Sequence, residues 1–311
     1  MTPRKQPSDK VSPIAEPLQS HHYRVVDVFT QRQLEGNSLA VFPNASAIDA
    51  GTMQRIAREL NLAETAFVLP PTRGDCAAKV RIFTPGKELD FAGHPTLGTA
   101  FVLLDEGLVP RTTRDFLLEE NVGAVAVQVD TGTPPMLWLI TPSIKAGRHY
   151  DRELCARVLG LEASDLLDPE PQLLSAGNPT VFVPLRDKNA VDRAWIDLGG
   201  MRLLRGRSEE LMCVFVFAPT PEGVYSRMFA PEYDIAEDPA TGSSSGPLAQ
   251  FMMNHGLVSN APGTRFVSEQ GTRMGRRSLL HVRIRADEGA IAIDVGGHVT
   301  PVAIGSMRLS I

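Results

Sequence analysis

Hydrophobic and polar positions along the chain alternate between two spacings. Short runs rich in β-branched and aromatic residues predict strands at Arg24–Thr30, Asn37–Phe42, Ala124–Val129, Met136–Ile140, Thr180–Leu185, Leu211–Phe217, Leu280–Arg285 and Ala290–Val295. Between them the spacing becomes helical. Met53, Ile56, Ala57 and Leu60 fall on one face of a helix, and Leu248, Phe251, Met252 and His255 repeat that spacing. The stretch Leu97–Leu104 is apolar almost all round, which predicts a helix buried on most sides.

The pattern also repeats. Gly36-Asn37-Ser-Leu-Ala-Val-Phe42 resembles Gly177-Asn178-Pro-Thr-Val-Phe-Val183, and Arg81-Ile-Phe83-Thr-Pro85 resembles Arg227-Met-Phe229-Ala-Pro231. His94-Pro95-Thr-Leu-Gly98-Thr99 resembles Asp238-Pro239-Ala-Thr-Gly242-Ser243. The three pairs are separated by 141, 146 and 144 residues, in the same order. Each half then carries an apolar helix closed by a glycine, Gly107 or Gly256, as helix C-termini prefer. Two related halves facing each other across a pseudo-two-fold axis follow from this repeat.

A length of 311 residues suits two domains, and 43% hydrophobic with 22% charged residues is the composition of a soluble globular chain. The net charge of −5 argues against a nucleic-acid or anionic-membrane surface. It leaves room for a small anionic ligand. Cys76, Cys155 and Cys213 lie far apart, so neither a disulfide framework nor a metal site is indicated, and inert thiols are expected. Residues 1–22 are polar and Pro-rich, which predicts a disordered tail, with no apolar run suited to a signal peptide. No run of about 18 apolar residues occurs, so a cytoplasmic chain with no membrane span is expected.

Candidate chemistry sits where the repeat places a residue–Pro pair before an apolar helix. Pro suits the first helical position, where its missing N–H has no partner to lose. Such a helix start presents free backbone N–H groups and the positive end of the dipole. Two of them meeting at a pseudo-dyad can hold a carboxylate, or stabilise the charge left when a C–H proton departs. Gly93, Gly98, Thr241, Gly242 and Ser243 are small enough to let a ligand approach the backbone. An ordinary N-cap at Asp238 and an ordinary turn at His94 fit the same local sequence.

Asp27-Val-Phe-Thr, Gly36-Asn37, Asn61-Leu-Ala-Glu64-Thr65-Ala-Phe67, Arg81-Ile-Phe-Thr-Pro85, Glu88-Leu-Asp-Phe-Ala-Gly93-His94-Pro95-Thr-Leu-Gly98 and Glu237-Asp238-Pro-Ala-Thr-Gly242-Ser243 together resemble the PhzF-type phenazine-biosynthesis family. The resemblance runs from about residue 23 to the C-terminus. It implies the diaminopimelate-epimerase-like α+β fold: two pseudo-symmetric domains, each a curved, mostly antiparallel sheet rolled around a central helix, with the site in the cleft between. The expected division is 23–140 for the first half, completed by about 297–311, and 141–296 for the second. It further implies a homodimer without metal or organic cofactor, acting on a small carboxylate-bearing metabolite by a proton shift.

By motif position Glu64 matches the glutamate that carries the proton. His94, Asp238 and Ser243 match polar residues around the substrate, and Gly93 and Gly242 match backbone donors near its carboxylate. His94 can donate to an oxyanion, shuttle a proton or hold the substrate. Ser243 and Thr241 can bond the carboxylate or cap the helix, and Asn37 can contact the ligand or make an Asx-turn. Arg81 and Arg227, at matched positions, are expected to make structural pairs. Ala63 stands where relatives often carry Ser, and Ser38 where they usually carry Pro, and both bear on substrate identity. The facing cysteines of epimerases in the wider fold have no counterpart in these motifs, which argues against a thiol pair. Other racemase, epimerase or lyase chemistry, or a ligand-binding protein without turnover, are the rival expectations.

Overall fold

The computed structural model describes residues 18–287 and 290–310. Hydrogen-bonded strands form one continuous ribbon that reads as two matched series. The first runs Val299–Leu309, Gln19–Val28, Asn37–Phe42, Glu64–Leu69, Ala78–Phe83, Asp115–Glu120, Gly123–Val129, Leu137–Ile140. The second runs Lys145–His149, Gln172–Ser175, Thr180–Pro184, Cys213–Thr220, Gly223–Ala230, Arg265–Gln270, Ser278–Asp287, Ala290–Gly297. Leu137–Ile140 pairs with Ala290–Gly297, and there the two series join.

Each series is antiparallel except at two matched places. Asn37–Phe42 and Glu64–Leu69 run parallel, as do Thr180–Pro184 and Cys213–Thr220. Ala78–Phe83 and Asp115–Glu120 run parallel, as do Gly223–Ala230 and Arg265–Gln270. Parallel neighbours need a crossover, and at the second place a 13-residue helix supplies it: Gly93–Asp105 in one half and Gly242–Asn254 in the other. This is the α+β, two-domain arrangement expected for a diaminopimelate-epimerase-like fold.

Both helices are buried nearly all round because each is enclosed by its own curved sheet. Against the first pack Val26, Val28, Leu39, Val80 and Ile82. The second packs among Phe182, Phe215 and Phe217, and its own Phe251 is fully buried. Burial of one such ring is worth roughly 1.5–3 kcal/mol. Gly98 lets the first helix press onto its sheet, since a Cβ there would lie 2.5 Å from Leu39 Cδ2.

Three sequence expectations need correction. The first strand begins at Gln19, so the stretch expected as a tail through residue 22 ends in a paired strand; His21 and His22 sit opposite Met307 and Ser306. The polar sequence hid this, because the strand lies beside the last strand and gains its order from that pairing. Residues 1–17 of the expected tail lie outside the described residues. Neither Pro occupies the first helical position: Pro95 is third in its helix, and Pro239 precedes Thr241, the N-cap of the other. Finally, the two helices begin at Gly93 and Gly242, 149 residues apart, and not at the 144 of the matched dipeptides. Spatially His94 therefore answers to Ser243.

Candidate active site

Glu64 is delivered by a short turn. The helix Ala50–Leu60 ends at Asn61, whose left-handed backbone (φ 50°) reverses the chain, a conformation Asn tolerates. Three residues later Glu64 opens its strand, opposite Leu39 of the parallel neighbour. Parallel pairing puts Asn37 and Glu64 at the same end of the sheet. Gly36 is required just before Asn37: its φ is +70°, and a Cβ would lie 2.3 Å from the Val28 carbonyl oxygen.

His94 comes from the first turn of the helix Gly93–Asp105, and its Nε2 lies 3.1 Å from Glu64 Oε2. Both side chains are almost buried, at 7% and 12% exposure. Their alignment is not that of a hydrogen bond, and neither atom has another hydrogen-bond partner among the described residues. Two buried, unsatisfied proton-handling atoms side by side are rare in a merely structural setting.

The second half brings Asp238. Asn37 Nδ2 donates across the cleft to Asp238 Oδ1 at 2.9 Å and to the Ala240 carbonyl at 3.1 Å. Thr241 Oγ1 donates to Asp238 Oδ2. Burial, and then the charge of Glu64, push the Asp238 carboxyl up to about 6; the Thr241 hydroxyl, His94 and Asn37 act in the opposite direction. Behind it the buried Gln270 donates to the Asp238 carbonyl at 2.7 Å and to Thr241 Oγ1 at 2.9 Å, and accepts from Thr241 N–H at 3.2 Å. Nothing in the sequence singled out Gln270, a lone amide at the end of an ordinary strand.

The two helix starts touch. A Cβ on Gly93 would lie 3.5 Å from Gly242 Cα and from Ser243 N, and one on Gly242 would lie 3.7 Å from Gly93 Cα. Neither helix has a side-chain cap on its first turn, so both starts keep donors to offer. Ser243 Oγ accepts from Asn178 Nδ2 at 3.1 Å. An apolar recess lined by Phe29, Phe91, Leu97, Leu139 and Ile140 adjoins the glycines. Glu64, Asn37, Gly93, His94, Asp238, Thr241, Gly242 and Ser243 thus gather where the halves meet.

Two further groups frame this place. Arg276, from the second half, donates to Asp27 Oδ1 at 2.7 Å, to Ser38 Oγ at 2.6 Å and to the Gly36 carbonyl at 3.0 Å in the first half. Ser38 itself donates to Asp27 at 2.9 Å, a bond Pro at that position has no hydroxyl to make. Cys213 opens its strand opposite Thr180 as Glu64 does opposite Leu39, so it is the pseudo-symmetric counterpart of Glu64. Burial first, and then the nearby Asp238 charge, push its thiol well above the usual range. Arg81 pairs with Glu88 and Arg227 with Glu237, as structural ion pairs within their own halves. Among the described residues no three His, Cys, Asp or Glu side chains gather to hold a metal ion, and no helix is long and apolar enough to cross a membrane.

Fold and site together define a two-domain protein of the diaminopimelate-epimerase-like class, with its polar groups set at the meeting of two central helices. A family profile described as phenazine biosynthesis-like protein matches residues 26–305, and the chain belongs to this family. It is 37% identical, over 93% of its length and all of the relative's, to trans-2,3-dihydro-3-hydroxyanthranilate isomerase of Pseudomonas chlororaphis. A Bacillus anthracis phenazine biosynthesis protein of the PhzF family superposes with a TM-score of 0.84 at 23% identity, covering 94% of this chain and 100% of that one. A hydroxyproline epimerase of Agrobacterium vitis shares the fold at a TM-score of 0.62 and 14% identity, with 93% of each chain covered.

Proposed function

We propose that this chain is a cofactor-independent isomerase that shifts a proton on a small carboxylate-bearing metabolite, with Glu64 as the general acid and base. Backbone N–H groups at Gly93 and Gly242 receive the carboxylate. Thr241 and Ser243 line the same helix start and contribute hydroxyls at its edge. Asp238, oriented by Asn37 and Thr241, accepts from a substrate amine or hydroxyl.

Glu64 then removes a C–H proton, and the charge left behind is met by His94 and the helix starts. The same carboxyl returns the proton to another carbon on the same face of the substrate. The observation that supports this reading most is the buried Glu64–His94 contact at 3.1 Å, unsatisfied within the protein and directly beside Gly93. A single proton carrier also suits the pseudo-dyad, because the position answering Glu64 is Cys213, a thiol held protonated by burial.

The relative's substrate, trans-2,3-dihydro-3-hydroxyanthranilate, is the first compound to test. Incubated in heavy water with the chain, it is expected to isomerise, with deuterium uptake to the extent that the Glu64 proton exchanges with solvent before it is returned. Glu64→Gln is expected to remain folded and to lose both. Exchange that persists in a folded Glu64→Gln protein would remove Glu64 from its role.

A further inference from the structure

Beneath the helix that carries Gly93 and His94 lies an acid that the reaction above does not use. Glu120 ends the strand Asp115–Glu120, and it shares a face with the core residue Leu118, since side chains two apart point the same way. It is 3% exposed. Its Oε1 lies 2.5 Å from Thr96 Oγ1, which in turn lies 2.8 Å from the carbonyl of Ala92, the N-cap of that helix. Glu120 Oε2 is buried and has no hydrogen-bond partner among the described residues.

One hydroxyl has one hydrogen. Thr96 can serve both oxygens only if Glu120 is protonated and donates to Thr96, whose hydrogen then goes to Ala92. The alternative, a buried carboxylate with one hydroxyl as its only donor among the described residues, carries a heavy desolvation cost. No charged neighbour among the described residues offsets it. Lys79 pairs with Glu119 at 3.4 Å, and Glu119 follows Leu118 onto the other face of the strand. Arg81 pairs with Glu88, Asp90 is exposed, and on the helix itself His94 faces Glu64.

We propose that Glu120 is a positioning residue for the ligand-holding turn: as the neutral acid it fixes Thr96 against the Ala92 carbonyl and so sets the start of the helix that presents Gly93 and His94. This rests on reading that turn as the carboxylate-binding end. Burial raises the Glu120 carboxyl to about 8, with the Thr96 hydroxyl opposing. As pH rises through that value, the proton leaves to solvent and the Thr96 hydrogen turns to the new carboxylate. Ala92 then loses its hydroxyl partner, and a negative charge lies behind the anion site.

The test has two arms. The infrared difference spectrum of the unaltered chain between about pH 7 and pH 9.5 is expected to show loss of a protonated carboxyl band; no such loss overturns the proposal. Anthranilate, whose carboxylate stays ionised throughout, then serves as a binding probe. Its affinity for the unaltered chain is expected to fall about tenfold across that range, as a new like charge nearby would produce. In Glu120→Gln, whose amide donates to Thr96 at every pH, it should fall no more than about twofold. Matching pH profiles in the two proteins overturn the positioning role. Absence of binding by either protein at any pH, with the infrared band present, overturns the functional reading and the coupling to it, while leaving the buried proton established.

Discussion

Replacing Glu120 with Gln should change how stability depends on pH, and the size of the change follows from the site. The carboxyl titrates near 4.5 in an ordinary setting and about 8 in the fold. Between these values the folded chain binds one proton that the unfolded chain does not, so stability falls as pH rises. The slope is about 1.4 kcal/mol per pH unit, and over the 3.5 units from 4.5 to 8 the sum is about 5 kcal/mol. This contribution is fully present below pH 4.5 and gone above pH 8. Gln does not titrate, so the variant lacks it. Urea unfolding of both proteins at intervals between pH 5 and 9 isolates the term, because every other group cancels in the difference. The stability of the unaltered chain minus that of the variant should decline steadily up to about pH 8 and then level off. A difference that stays flat across the range would show that Glu120 is ionised in the fold, and the hydrogen-bond chain from a protonated Glu120 through Thr96 to Ala92 would be refuted.

Two other substitutions separate chemistry from architecture. Cys213→Ala should keep isomerase turnover within a few-fold of the unaltered chain, measured with the relative's substrate, because a thiol held protonated cannot share the work of Glu64; a loss as large as that of Glu64→Gln would make it the second base. Arg276→Met should cost about 3 kcal/mol in urea unfolding, the scale for stripping a buried carboxylate of its cation, since Asp27 is 1% exposed on its side chain and Ser38 and the Leu34 N–H remain its only donors among the described residues.

Much of the central architecture was legible because it is written in apolar spacing. The stretch Leu97–Leu104 announced a buried helix, and the repeat announced a partner for it in the other half. The edges were less legible. Gln19–Val28 and Val299–Leu309 have mixed polar sequences, and their order comes from each other across almost the whole chain. Glu64, His94 and Asp238 were singled out by their motifs and lie together in the fold, yet Gln270 was not singled out, since a buried amide becomes recognisable only through the groups it bonds. The matched dipeptides at His94 and Asp238 pointed to the place where the two halves meet, through an imperfect correspondence. Both occupy the cleft, but one lies inside a helix and the other ends the strand Ile235–Asp238.

That mismatch bears on the chemistry. A fold with two equivalent halves offers two equivalent sites for a proton carrier, one from each side of the ligand, and a symmetric pair of bases would favour inversion at one carbon. Here the equivalence is broken at each matched position: Glu64 answers Cys213, and His94 answers Ser243. The acid–base pair of the proposed function, Glu64 and His94, therefore sits wholly in the first half. The second half contributes Asp238, which Asn37 and Thr241 hold in place as an acceptor. What stays symmetric is the backbone, with Gly93 and Gly242 in contact at the two helix starts. If these backbone donors hold the charge from both sides and Glu64 alone moves the proton, as proposed, the asymmetry favours transfer between carbons on a single face over inversion.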